Sequence, residues 1–232
     1  MPFHDKQAVK LILKFAKSLK PDGIVLNGDI VDCFSISSHR VDANELTKSG
    51  LDSEISHSAW LMSQFKNVKE RYWIGGNHED RLYRYVTDRA PQLGRVANIT
   101  FPKLFELDKY GFKWVPYGEY ILLGKLMVTH GEIVRKHAAY SAKAHFDKYG
   151  NSVLIGHTHR MGMYAHTNIG GPHGAWENGC LCRLDGLGYT HHPDWQHCFA
   201  VVHVGAGGYF NVQQMPILDS KMFFYGEDVW EI

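Results

Sequence analysis

The sequence contains no apolar run near the ~20 residues that cross a bilayer. Its opening residues hold no apolar signal-peptide core. A membrane span is therefore not expected, and the expected compartment is the cytoplasm. Neither sign of charge dominates: 25 Lys and Arg stand against 24 Asp and Glu, a net charge of +1. That balance points away from a dedicated nucleic-acid or acidic-lipid surface, although a local basic groove stays open. Cysteine is scarce, and Cys33, Cys180, Cys182 and Cys198 make no disulfide framework in 232 residues. There is no repeat, linker or low-complexity stretch, so residues 1–232 read as one domain. A G-x-S-x-G elbow and a P-loop are both missing, so neither a serine nucleophile nor a glycine-rich phosphate cradle is indicated.

What is present is a set of four short stretches: Gly28-Asp29-Ile30-Val31-Asp32, Gly76-Asn77-His78-Glu79-Asp80, Thr129-His130-Gly131 and Gly156-His157-Thr158-His159. They mix carboxylate and amide oxygens with imidazole nitrogens and need no thiolate. Such a donor set suits Mn, Fe, Zn or Ni better than Ca or a cysteine-built structural zinc. Each stretch follows a short apolar run: Ile24-Val25-Leu26, Tyr72-Trp73-Ile74, Leu126-Met127-Val128 and Val153-Leu154-Ile155. Runs of this kind read as buried strands. Ligands at the ends of several strands would converge on one crevice, the usual place for a site in an α/β sheet. If the chain is extended at His157-Thr158-His159, alternation puts both imidazoles on one side.

These blocks resemble the calcineurin-like metallophosphoesterases, whose pattern is D-x-H, G-D-x-x-D, G-N-H-D/E, a lone H and G-H-x-H. Four of the five blocks stand here in order. The resemblance implies a layered α/β/β/α sandwich. It implies two divalent ions, with Asp29 bridging them, Asn77, His130 and His157 on one and His159 on the other. His78 would lie outside the metal shell as general acid or transition-state donor, with Asp32 behind it. Glu79 stands where many members have Asp.

The D-x-H block is the departure. The chain begins Met1-Pro2-Phe3-His4-Asp5, past the point where a first strand would end in that block. The first strand is accordingly expected to be missing, by truncation or because the site is natively reduced. The ion near His159 is then expected to be weak or absent, and association through an exposed sheet edge becomes an expectation as well.

Along the chain, Asp5 is a candidate N-cap for a helix carrying Ala8, Val9, Leu11, Ile12, Phe15, Ala16 and Leu19 at helical spacing, ended by Pro21-Asp22-Gly23. Residues 33–52 read as a long loop beside Asp29, with His39 and Arg40 as candidate substrate contacts or simply solvated side chains. A helix over 53–69 and a strand over 71–74 deliver the Asn77 block, and Arg81, Arg84 and Arg89 follow on a helix. Arg81 is a candidate ligand for a phosphate oxygen. Residues 119–128 read as a hairpin ending at His130. Arg135 and His137 come soon after and are candidate substrate contacts. Beyond His159 the chain turns β-rich, with strands expected over 162–167, 175–183, 199–204 and 209–215. Cys180-Leu181-Cys182, with His191, His192, His197 and Cys198 downstream, reads either as a zinc clip or as a strand with two thiols on one side.

The resemblance implies a metal-dependent phosphoesterase whose nucleophile is a metal-bound hydroxide and whose substrates are phosphomonoesters or phosphodiesters. Manganese and a dinuclear site are part of that expectation. Nothing in the charge indicates a nucleic-acid substrate. The alternative is a catalytically weak metal-binding scaffold of the same fold, which the absent D-x-H block favours.

Overall fold

The computed structural model describes residues 3–37, 50–92, 97, 99–185, 193–224 and 228–231. The candidate contacts His39 and Arg40, and His191 and His192 of the suggested zinc clip, lie outside the described residues. The chain forms two compact units, one made of Lys20–Glu119 and the other of Phe3–Leu19 with Tyr120–Ile232.

In the first unit three parallel strands, β1 (Gly23–Asn27), β2 (Glu70–Ile74) and β3 (Lys113–Val115), form a sheet in that order. Helices α2 (Leu51–Gln64), α3 (Asp80–Arg89) and the single-turn α4 (Phe101–Leu104) belong to the same unit. Helix α1 (Lys6–Leu19) belongs to the second unit. Leu26 of β1 and Trp73 and Ile74 of β2 are buried. Trp73 packs edge-on to Phe101, and Phe101 stacks on Phe105 and Trp114, so an aromatic cluster seals β2 and β3. Asn27 pairs with Ile74 at the ends of β1 and β2. The Asp29 and Asn77 blocks therefore leave the same end of adjacent parallel strands. Helix α2 covers less than the 53–69 expected, beginning at Leu51 and ending at Gln64.

In the second unit a five-stranded sheet runs β4 (Tyr120–Leu123), β5 (Leu126–Thr129), β6 (Val153–Ile155), β8 (Gly171–Asn178), β7 (Met161–Asn168). β4 and β5 form the expected hairpin, with Leu123 opposite Leu126. β5 and β6 are parallel, Thr129 opposite Ile155. Helix α5 (Tyr140–Tyr149) lays Ala142 and Phe146 on Met127, Val153, Ile155 and Ala175.

Two antiparallel pairs, β9 (Cys198–Val204) with β10 (Phe210–Pro216) and β11 (Lys221–Phe224) with β12 (Asp228–Glu231), complete the unit. Helix α1 packs Ala8, Leu11 and Phe15 against Ile217, Met222 and Phe199. As its sequence suggests, Asp5 caps it: Oδ1 accepts from the N–H of Gln7 (2.8 Å) and Ala8 (2.9 Å). The mixed α/β class read from the sequence is the class observed.

Two local expectations are corrected. The strand expected over 175–183 begins at Gly171 and ends at Asn178, because Gly179 turns the backbone at φ +65°. Cys180 and Cys182 therefore lie beyond the strand, in isolated bridges to His197 and His4. The backbone at His157-Thr158-His159 is not extended: both histidines are left-handed, at φ +59° and +60°, so period-two alternation does not apply. No described helix is long and apolar enough to cross a membrane.

Candidate metal centre

In the first unit the Asp29 turn follows β1 with Gly28 at φ +82° and Asp29 at φ +53°. A left-handed aspartate costs about 1–2 kcal/mol relative to ordinary backbone. Glu79 holds it there. This side chain is 1% exposed, and its carboxylate accepts the backbone N–H groups of Asp29 (2.8 Å), Ile30 (2.9 Å), Gly76 (2.7 Å) and Val31 (3.4 Å). A buried carboxylate is costly without partners, and these amides supply them. Gly76 completes the fit: a Cβ there would stand 2.1 Å from Asp29 Oδ1. Asp29 Oδ1 in turn accepts from the N–H of His78 at 3.1 Å.

His78 and Asp32 form a second arrangement in this unit. His78 Nδ1 lies 2.5 Å from Asp32 Oδ1, and Arg81 Nη1 donates to the same oxygen (2.8 Å) and to the Asp32 carbonyl (2.7 Å). Arg81 Nη2 is 3.3 Å from His78 Nε2, and Asp29 Oδ2 is 4.0 Å from it. Burial disfavours the imidazolium. The hydrogen bond to Asp32 and the negative charges of Asp29 and Asp32 outweigh that, and the pKa of His78 is raised despite the opposing charge of Arg81. Glu54, 1% exposed, accepts from the N–H of Asp32 (2.6 Å) and Cys33 (3.0 Å). Asn77 is half-buried, and its carbonyl accepts from Arg84 Nη2.

In the second unit His130 leaves β5 and His157 leaves β6. Their strands are paired, and the N–H of Gly156 donates to the His130 carbonyl at 3.0 Å. The two rings lie edge to face with centroids 5.1 Å apart, so two imidazoles are held beside one another. His130 is buried.

Behind it His145 is fully buried. Its Nδ1 is 2.8 Å from the Ser141 carbonyl, and its Nε2 accepts the N–H of Glu132 at 3.1 Å. That pattern requires the neutral ring, and burial lowers its pKa. Gly131, at φ +92°, leaves room for that ring, since a Cβ would stand 3.2 Å from Nε2.

Glu177, also fully buried, ties the His157–His159 turn down. Oε1 accepts from the N–H of Ser141 (2.9 Å) and Ala142 (3.2 Å) at the start of α5, and Oε2 accepts from Thr158 Oγ1 (2.7 Å).

His159 faces elsewhere. Its Nδ1 is 3.9 Å from Cys182 Sγ, and its ring meets Trp195 edge-on at 4.4 Å. Cys180 Sγ is 3.3 Å from Cys182 Sγ. The contact with Cys180, aided by His159 and His197 nearby, outweighs burial and lowers the Cys182 thiol to about 5. Arg135 and His137 are exposed on the loop after His130. Arg160 anchors that loop by donating to the carbonyls of Arg135 (2.6 Å) and Lys136 (2.7 Å).

A sequence model of the calcineurin-like phosphoesterases matches residues 3–161. The chain belongs to the calcineurin-like phosphoesterase family. Two phage proteins are similar along its whole length. The gene 54 protein of Mycobacterium phage D29 is 29% identical over 251 residues, and that of phage L5 is 29% identical over 252; each alignment covers 100% of this chain and 95% of the relative. Both are named only by gene number, so the family carries the functional reading. A calcineurin-like phosphoesterase acts on phosphate esters with divalent metal ions. The oxygen and imidazole donors presented by the two units fit that cofactor class.

Sequence reasoning named Asp29, Asp32, Asn77, His78, His130, His157 and His159. The roles of Glu54, Glu79, Glu177 and His145 were missed. One signal was available: Glu177 is a carboxylate directly after the short run Gly174-Ala175-Trp176.

Proposed function

We propose that the chain hydrolyses phosphomonoesters or phosphodiesters at two divalent ions, Mn, Fe, Zn or Ni. The residues proposed as ligands are Asp29, Asn77, His130, His157 and His159. The observation that carries this reading is the strained backbone at Asp29, His157 and His159, each left-handed. Strain of this kind concentrates where function requires it. Here buried carboxylates of Glu79 and Glu177 maintain the turns.

When bound, such ions lower the pKa of a coordinated water and neutralise phosphate oxygens. The protein's own side chains do the rest. His78 is the proton donor to the leaving oxygen. Asp32 orients its Nδ1–H, and the raised pKa keeps the ring protonated to higher pH than an ordinary histidine. Arg81 steadies Asp32 and stands beside His78 Nε2, where a phosphate oxygen would meet it. Arg135 and His137 are substrate contacts on the exposed loop after His130. The free thiols suit a reducing, cytoplasmic setting. β1 is a sheet edge among the described residues, and association of two copies is assigned to that edge.

The test is hydrolysis of p-nitrophenyl phosphate and bis-p-nitrophenyl phosphate by chelator-treated protein, with each metal restored in turn. Metal-dependent release of p-nitrophenol supports the proposal. A folded protein that hydrolyses neither ester with any of these metals contradicts it.

A further inference from the structure

Among the described residues, a second group of metal-binding side chains joins two thiols to His159. One donor atom each from His159, Cys180 and Cys182 lies within 4.8 Å of the other two. Cys182 Sγ is 3.9 Å from His159 Nδ1 and 3.3 Å from Cys180 Sγ. Tetrahedral zinc with bond lengths of about 2.3 Å to sulfur and about 2.0–2.1 Å to nitrogen separates two thiolates by ~3.8 Å and a thiolate from an imidazole by ~3.6 Å. The observed spacings differ from these by a few tenths of an ångström, within reach of side-chain rotation.

The backbone carrying the donors is fixed on several sides. The N–H of Gly179 donates to the Arg160 carbonyl (2.8 Å), the N–H of Cys180 donates to the Gln196 carbonyl (3.0 Å), and the Cys180 carbonyl accepts the N–H of Cys198 (3.3 Å). The N–H of Gln196 donates to the His159 carbonyl (3.0 Å). The N–H of Asp5 reaches the Leu181 carbonyl (2.8 Å), and His197 Nε2 is 2.7 Å from the Cys182 carbonyl. Gly179 is required for this approach, since a Cβ there would stand 2.6 Å from Cys198 Cβ. The other two cysteines are separate. Cys33 and Cys198 are buried, and Cys198 Sγ is directed to the Phe199 carbonyl. Of the zinc clip suggested by the sequence, the thiols of Cys180 and Cys182 remain, and their imidazole partner is His159.

We propose that His159, Cys180 and Cys182 hold a thiophilic divalent cation of the zinc class, with its fourth position open. The proposal rests on the proposed function only through His159, the residue assigned there to the second ion, and it names two thiolates as what completes that ion. A weak ion at His159 then no longer follows from the missing D-x-H block. Two thiolates and an imidazole also change the choice of metal, because soft sulfur donors select zinc over manganese.

Cobalt(II) reports thiolate ligation directly. Titrated into the reduced, metal-free full chain, it should produce a thiolate-to-cobalt charge-transfer band and the visible bands of a tetrahedral ion, and zinc should abolish both. Cys182→Ser and the double variant Cys180→Ser/Cys182→Ser should lose the bands. Asp29→Asn, which alters the oxygen-and-imidazole ligands instead, should keep them. In wild-type protein, zinc should slow alkylation of Cys180 and Cys182, mapped by mass spectrometry, and leave Cys33 and Cys198 unchanged. This second measurement decides the matter if the serine variants fail to fold.

Absence of the bands in folded wild-type protein, their survival in the double variant, or equal alkylation with and without zinc would overturn the proposal. So would a Cys180–Cys182 disulfide in protein purified with its metal. Phosphoesterase activity without the bands would refute this inference and leave the proposed function standing. The bands without activity would do the reverse.

Discussion

The Glu79 carboxylate accepts the backbone N–H of Asp29 at 2.8 Å, and so a buried acid fixes the turn that presents a candidate ligand. The same carboxylate takes the N–H of Gly76, which immediately precedes Asn77. One side chain therefore sets the positions of two candidate ligand blocks that are far apart in sequence.

Glu79→Gln removes the charge and turns an amide NH2 toward backbone donors. Hydrogen bonds to a charged group contribute about 1.5–3 kcal/mol each, and an unsatisfied buried donor costs about 1–3 kcal/mol. The variant should lose roughly 3 kcal/mol or more of stability, read as a lower denaturant midpoint at unchanged m-value, and should bind metal more weakly. Wild-type stability and wild-type metal affinity together would mean that Glu79 does not hold the turn.

His78→Ala should lower turnover about a hundredfold or more, the contribution of one positioned general acid. Its metal content should remain near that of the wild type. If metal is lost with the side chain, His78 is a ligand. Asp32→Asn should also slow turnover, because Asp32 orients the His78 proton.

His145 is held neutral in the folded protein, with its pKa below the ordinary value. The unfolded chain therefore binds more protons as pH falls below about 6.5, the ordinary imidazole value. The contribution of His145 to stability should be full above that pH and decline as pH falls toward the folded pKa. Stability of wild type and His145→Gln, measured by denaturant from pH 8 to pH 5, should show a shallower decline for the variant. Identical slopes would mean that His145 does not titrate on unfolding.

Gly76→Ala would put a Cβ 2.1 Å from Asp29 Oδ1. The Asp29 carboxylate or the turn must then move, at a cost of about 1–3 kcal/mol typical of overpacking. Thermal melting should show the loss, and metal affinity should fall with it. Unchanged melting and metal affinity would mean that the close approach is not needed.

Much of this arrangement was legible in the sequence, for a physical reason. Tyr72-Trp73-Ile74 and Val153-Leu154-Ile155 are short, continuous apolar runs, and each belongs to a strand flanked on both sides, which leaves such a mark. The blocks after them are legible in the sequence as strand ends. The supporting carboxylates left no comparable mark. A glutamate is normally exposed, and nothing adjacent to Glu54 or Glu79 reveals that backbone amides from elsewhere in the chain converge on it.

His157 and His159 misled because alternation assumes an extended backbone, whereas both residues are left-handed. The grouping of His159 with Cys180 and Cys182 depends on the turn at Gly179 and on pairing with residues 196–198, so it is a property of tertiary structure.

The central claim is that His130 and His157, whose ring centroids lie 5.1 Å apart, hold one divalent ion between them. A double-mutant cycle on metal affinity, with His130→Ala, His157→Ala and the combined variant titrated with manganese, tests it most directly. If His130 and His157 serve the same ion, the combined variant should bind manganese little worse than the weaker single variant, a coupling of about 0.5–3 kcal/mol. Strictly additive losses would contradict the account.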